Sequence, residues 1–140
     1  MYLTIHKESL VKDIQQQFSE LYPFLKIEFL KKALSEKRSV KGMYATPDEL
    51  FKSLSTAIDA GTVSVEENLT VAEVEQQFKK QFAVNLQVYR KSGNVWIETT
   101  LTDKWTLKKQ NQEGEQMSTP KAVPVKNYLS DENQSGQETE

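Results

Sequence analysis

The 140-residue chain contains no cysteine and a single histidine, His6. Without thiols there is no disulfide framework, thiolate zinc site, iron–sulfur cluster or cysteine nucleophile, and one imidazole cannot supply the paired ligands of most zinc enzymes. Neither a Gly-x-Ser-x-Gly elbow nor a phosphate-cradling glycine loop occurs. No run approaches the roughly 20 apolar residues of a membrane span, and charge arrives at Lys7 and Glu8 before the apolar core of a signal peptide can form. An excess of positive charge is missing too: 18 Lys and Arg face 20 Asp and Glu, a net charge of −2, unlike proteins that bind duplex nucleic acid mainly by counterion release. These absences lead us to expect a soluble cytoplasmic protein, non-enzymatic and without metal or cofactor.

Apolar residues make up 37% of the chain, a low share for a globular domain, and the deficit is concentrated in residues 112–140. Residues 1–111 carry 16 basic and 14 acidic groups, and the remainder 2 and 6. The expected organisation is one domain over residues 1–111 and a disordered acidic tail over 112–140.

Within the domain, hydrophobic spacing marks the elements. Tyr2-Leu3-Thr4-Ile5 alternates as a strand does. Leu10, Ile14, Phe18 and Leu21 form a helical stripe that Pro23 stops, and Leu25, Ile27 and Phe29 alternate again. Residues 35–44 are polar, contain Gly42 and read as a loop. Thr46-Pro47-Asp48-Glu49 carries the cap, N1 proline and N3 glutamate of a helix start, with Leu50, Leu54 and Ile58 continuing it to Gly61. The opening pattern then recurs: a strand at Thr62-Val63-Ser64-Val65, a capping box at Thr70 and Glu73, a stripe of Val71, Val74, Phe78 and Phe82, and a strand through Val84, Leu86 and Val88. At an offset of 60, Ile5 falls on Val65, Val11 on Val71, Ile14 on Val74, and Gln16-Gln17-Phe18 on Gln76-Gln77-Phe78. With one deletion after Phe24, Ile27, Phe29 and Lys32 fall on Leu86, Val88 and Lys91. A hairpin turn at Gly93-Asn94 leads into a fifth strand of Val95, Ile97 and Thr99, and a short helical turn near Thr106 ends at Gly114.

The fold class implied is α+β: a duplicated β-α-β in the ferredoxin-like, split β-α-β arrangement, helices on one face of the sheet, with an inserted helix near residues 47–60 and a C-terminal hairpin strand. The segments Tyr89-Arg90-Lys91-Ser92-Gly93, Trp96-Ile97-Glu98-Thr99-Thr100 and Trp105-Thr106-Leu107 resemble a group of small bacterial proteins of unknown function. That resemblance implies a small soluble domain and carries no functional residue with it.

Alternation sorts the strand residues into two sets. Leu3, Ile5, Leu25, Ile27, Phe29, Val63, Val65, Leu86, Val88, Val95 and Ile97 are expected beneath the helices. Tyr2, Thr4, Leu30, Thr62, Ser64, Gln87, Tyr89, Trp96 and Glu98 are expected on the opposite face, with Lys26, Lys32 and Lys91 at its margins. The function this suggests is protein binding or self-association on an aromatic hairpin face made by Tyr89, Trp96, Arg90, Lys91 and Tyr2. One alternative is single-stranded nucleic acid, since a stacked base on such a face is worth roughly 1–3 kcal/mol, although Glu28 and Glu98 would repel phosphate. Another is a small-molecule sensor or small enzyme with a pocket between the sheet and the Pro47 helix. Burial of Tyr89 and Trp96 as core aromatics would remove the face altogether. Other features have plain structural readings. The basic window from Lys26 to Lys41 can blunt a strand edge, Glu66, Glu67, Glu73 and Glu75 suit a helix N-terminus, and the tail segment Ser118 to Leu129, with its apolar island, can add to a sheet edge of another chain.

Overall fold

The computed structural model describes residues 1–32, 39–55 and 60–119. The first strand, β1 (Tyr2–Ile5), leads to α1 (Val11–Leu21), whose Val11, Ile14 and Phe18 are buried. The strands β2 (Leu25–Lys32) and β3 (Ser39–Tyr44) follow, then a short 3-10 turn at Phe51–Ser53. The order strand, helix, strand, strand then repeats as β4 (Gly61–Ser64), α2 (Val71–Phe82), β5 (Asn85–Ser92) and β6 (Val95–Glu98). A second 3-10 turn at Thr100–Thr102 precedes α3 (Leu107–Ser118). The fold is α+β, and no helix among the described residues is long and apolar enough to cross a membrane.

The single sheet of the split β-α-β plan is not what these strands build. Among the described residues β1 pairs only with β4, as a two-stranded antiparallel ribbon, and the other four strands form a separate antiparallel sheet in the order β3-β2-β5-β6. Within each strand-helix-strand unit the two strands therefore lie in different sheets. Leu3 faces Val63 at the centre of the ribbon, and Glu28 faces Gln87 in the larger sheet. Both sheets and the helices α1 and α2 contribute to one core, with Leu3, Phe18, Ile27, Phe29, Val63, Phe78 and Val88 almost fully buried. Phe29, Phe51, Phe78 and Phe82 meet through ring centroids 5.3–6.3 Å apart, distances at which tilted and edge-on rings attract.

Hydrogen bonds recur along with the elements. The Gln17 side chain accepts from Thr4 N and donates to Thr4 O, at 2.8 and 2.9 Å. Sixty residues on, Gln77 does the same to Ser64, at 2.9 and 2.8 Å. Each glutamine completes the open side of its ribbon strand. Asp13 and Glu73 each accept from the backbone N–H three residues earlier, at Leu10 and Thr70. The amides of Val11 and Lys12 donate to the carbonyls of Glu49 and Pro47, and those of Val71 and Ala72 to the carbonyls of Trp105 and Asp103.

The pairing of α1 with Glu49 and Pro47 explains why no helix starts at Pro47. The capping interaction forms, since Glu49 Oε2 accepts from Thr46 N at 2.8 Å. The next carbonyls, however, are already taken by the first turn of α1, and Leu50 extends to bridge Leu10. A turn and a 3-10 turn result; residues 56–59, where the expected helix would continue, lie outside the described residues. Two other expectations also change. The polar stretch before Tyr44 contains the strand β3, paired to β2 at Leu30↔Tyr44 and Lys32↔Ser39 across an irregular register. Gly114 does not end a helix but lies inside α3, which runs on to Ser118, past the expected boundary at 111/112. A Cβ at Gly114 would stand 2.8 Å from Phe24 Cβ and 3.0 Å from Phe24 O; glycine is there for close approach. Residues 120–140 lie outside the described residues.

Candidate functional site

Cross-strand register brings the outer face of the four-stranded sheet together. Lys26 faces Tyr89 on β5, Tyr89 faces Glu98 on β6, and Lys91 faces Trp96. Alternation puts all five side chains on the side away from the helices. The Lys26 ammonium sits 5.4 Å from the Tyr89 ring centre and 5.1 Å from that of Trp96, and it pairs with Glu28 at 3.4 Å. Lys91 Nζ lies 6.0 Å from the Trp96 ring. Ammonium groups at this range are held by the ring quadrupole. Tyr44 reaches across from β3, its hydroxyl hydrogen-bonded to that of Tyr89. Burial, followed by the bond to Tyr44, holds the Tyr89 hydroxyl above the usual phenol range, so it stays protonated.

Tyr89, Trp96 and Lys91 are therefore assembled as the sequence suggests, while two companions are elsewhere. Tyr2, 62% exposed, stands on β1 in the separate ribbon. Arg90 points to the opposite side from Tyr89, as its neighbour in a strand must. There it donates from Nη1 to Gln110 Oε1 at 2.8 Å and lies 5.4 Å from the Trp105 ring. Its Nε is buried with no hydrogen-bond partner. Gln110, fully buried, passes the connection on to Thr102 O at 2.7 Å, and Asn111 Oδ1 accepts from Phe24 N at 2.9 Å. Arg90 thus anchors α3 rather than contributing to the aromatic face.

The edge of this sheet departs furthest from the sequence expectation. Val95 and Ile97, expected beneath helices, are 58% and 36% exposed, and Trp96 is 36% exposed. Their parity follows the alternation, but no described element covers β6, so inward-facing residues there still meet water. Leu101, just past the strand, is 99% exposed. Val95, Ile97 and Leu101 are thus exposed at this edge, Val95 and Ile97 on the face opposite Trp96, while Tyr44 joins the Tyr89 side from β3, a strand that the sequence reading does not include. The recurring order of elements holds the signal for Tyr44: a hairpin strand follows β5, as β3 follows β2.

A concavity of about 330 Å³ lies between β2, the segment after Pro47 and the α2–β5 corner, lined by Leu30, Lys31, Glu49, Ser53, Leu54 and Asn85 among others. Glu49 pairs with Lys31 at 3.1 Å, and its carboxyl is held below the usual range chiefly by the Thr46 backbone N–H. Its one cation and one carboxylate are paired with each other.

No protein-family model, no curated protein and no solved structure matches the chain.

Proposed function

We propose that this chain is a non-enzymatic binding module that holds a protein partner, or a second copy of itself, on the hairpin face formed by Tyr89, Lys91 and Trp96 and on the adjoining strand β6. One observation carries the reading: large apolar and aromatic side chains stand exposed along β6, an edge strand that no described element covers. Scattered exposed hydrophobics are ordinary, whereas a contiguous set on one strand marks an interaction surface. Tyrosine and tryptophan are also frequent anchors of protein interfaces.

The recurring hydrogen bonds support a duplicated unit as the scaffold, with strands swapped between the halves in place of the ferredoxin-like single sheet. Single-stranded nucleic acid is the weaker occupant. Lys26 already lies over both rings, and Glu28 and Glu98 stand on the same face, so a stacked base would displace one charge and meet two others. A small-molecule reading would use the cleft beside Glu49.

The full chain and Trp96→Ala, each immobilised and used to capture partners from cell extract, provide the test. A captured protein, once purified, should bind the variant at least tenfold more weakly. Equal binding removes the face from consideration, and retention of single-stranded RNA that collapses with salt would put the nucleic-acid reading in its place.

A further inference from the structure

The β5–β6 hairpin determines which backbone groups of β6 point outward. Ser92 and Val95 close a two-residue turn in which Gly93 has φ +63°, and the closing pair of such a turn is hydrogen-bonded on both sides. Alternation then commits Val95 and Ile97 to β5 and directs the N–H and C=O groups of Trp96 and Glu98 to the far side. β6 is the last strand of its sheet, and no described residue pairs with that side. The opposite edge is different. There the sequence of β3 includes a lysine and a glycine, and its register against β2 is irregular, devices that discourage edge pairing. Val95-Trp96-Ile97-Glu98 has no lysine, proline or bulge.

We propose that a second copy of this chain pairs with this edge, β6 against β6, antiparallel about a twofold axis through Ile97 and the partner's Ile97. The inference rests on the binding reading above and names its occupant. Of the registers available, only one centred on Ile97 engages both outward-facing residues of each copy. Trp96 exchanges two hydrogen bonds with the partner's Glu98, and Glu98 two with the partner's Trp96. Charge then matches as well. Neither Lys91 nor Glu98 has an ion-pair partner among the described residues. On the outer face the new pairing sets Glu98 beside the partner's Trp96, the ring over which the partner's Lys91 lies. Each copy thus offers its unpaired carboxylate to an unpaired ammonium of the other. On the inner face Ile97 meets its own counterpart, covering the two exposed side chains, and the sheets become one of eight strands.

The absence of cysteine makes the test direct, because any introduced thiol is unique. Ile97→Cys in the full chain should form a disulfide-linked dimer under mild oxidation, since a non-hydrogen-bonded antiparallel pair brings its Cα atoms within disulfide reach. Val95→Cys, facing the partner's Thr99, should link at least tenfold more slowly. In sedimentation equilibrium the wild-type mass should rise with concentration toward twice the chain mass. Lys91→Glu and Glu98→Lys should each weaken association severalfold, and the double variant should recover it. A single-chain mass at every concentration up to millimolar, or equal linking by the two cysteine variants, overturns the proposal. If that monomer still binds a captured protein through Trp96, the self-pairing alone fails. If Trp96→Ala also binds unchanged, the broader reading falls with it.

Discussion

Gly114 and Glu75 show how single side chains set the limits of this fold. In the middle of a helix alanine outperforms glycine by about 1 kcal/mol, so propensity alone favours Gly114→Ala. The opposing term is steric: the new methyl would stand 2.8 Å from Phe24 Cβ, 3.0 Å from Phe24 O and 3.1 Å from Arg90 Cγ. Two of these belong to fixed parts of Phe24, and overpacking of this kind costs about 1–3 kcal/mol. We expect a net loss of stability in chemical denaturation, with Gly114→Ser no better. Glu75 stands sixty residues after Gln15, whose amide donates to Ile27 O at 2.9 Å. A carboxylate cannot donate. It is half-buried, no cation pairs with it among the described residues, and loss of water, then the charge of Asp103, pushes its pKa from 4.5 up to about 7. Between those values the folded chain keeps a proton that the unfolded chain has released, so stability falls as pH rises through that window and levels off above it. Glu75→Gln should abolish this slope and stabilise the protein at pH 8 by about 1–2 kcal/mol, the shift being discounted for the water that still reaches the carboxyl. Thermal melts of both chains from pH 4 to 8 check the sign; parallel curves would show that Glu75 is not the source.

At the scale of elements, the recurring geometry of Gln17 and Gln77 makes a sharper prediction than the strands themselves. Each side chain supplies both a donor and an acceptor to one residue of the ribbon, and the Gln77 pair is the less exposed. Gln77→Leu should cost about 1–2 kcal/mol, the usual range for leaving part-buried backbone groups unpaired. The effect should be local: the Ser64 amide should exchange with solvent at least tenfold faster while amides of the larger sheet keep their protection. Uniform acceleration would mean that the glutamine supports the whole fold. The recurrence of these hydrogen bonds has its mark in the amino-acid sequence, where Gln-Gln-Phe recurs in step with strand and stripe. The helices α1 and α2 and the Thr70–Glu73 capping box are legible for the same reason, whereas α3, as long as α2, reads in the sequence only as a short turn. The Pro47 segment misleads because a capping box specifies a turn, while continuation into a helix depends on carbonyls that α1 has claimed. The strand β3 escapes notice because a polar, glycine-bearing hairpin arm has little apolar alternation to show. For the site, parity places Tyr89, Trp96 and Lys91 on one face and Arg90 on the other. Grouping Arg90 with them follows proximity in the chain, and parity overrules it. Whether Val95 and Ile97 are covered is not a local property at all.

For the molecule as a whole, what matters is that the first two strands of each half pair with those of the other. β1 pairs with β4 and β2 with β5, and the aromatic cluster joins Phe29 and Phe51 of the first half to Phe78 and Phe82 of the second. A unit of residues 1–55 alone would leave β1 unpaired and one side of β2 open. The halves should therefore unfold together in one transition. The chain contains a convenient probe, since both tryptophans, Trp96 and Trp105, lie in the second half. Ile14→Val removes a methylene from the fully buried stripe of α1, a change that costs about 1 kcal/mol. If the interleaved sheets make one cooperative body, tryptophan fluorescence will register that loss in full, with the same denaturant midpoint as far-ultraviolet circular dichroism. A fluorescence midpoint that stays at the wild-type value while the circular dichroism splits into two steps would show that the halves are stable separately, and that crossed strand pairing does not bind them into one unit.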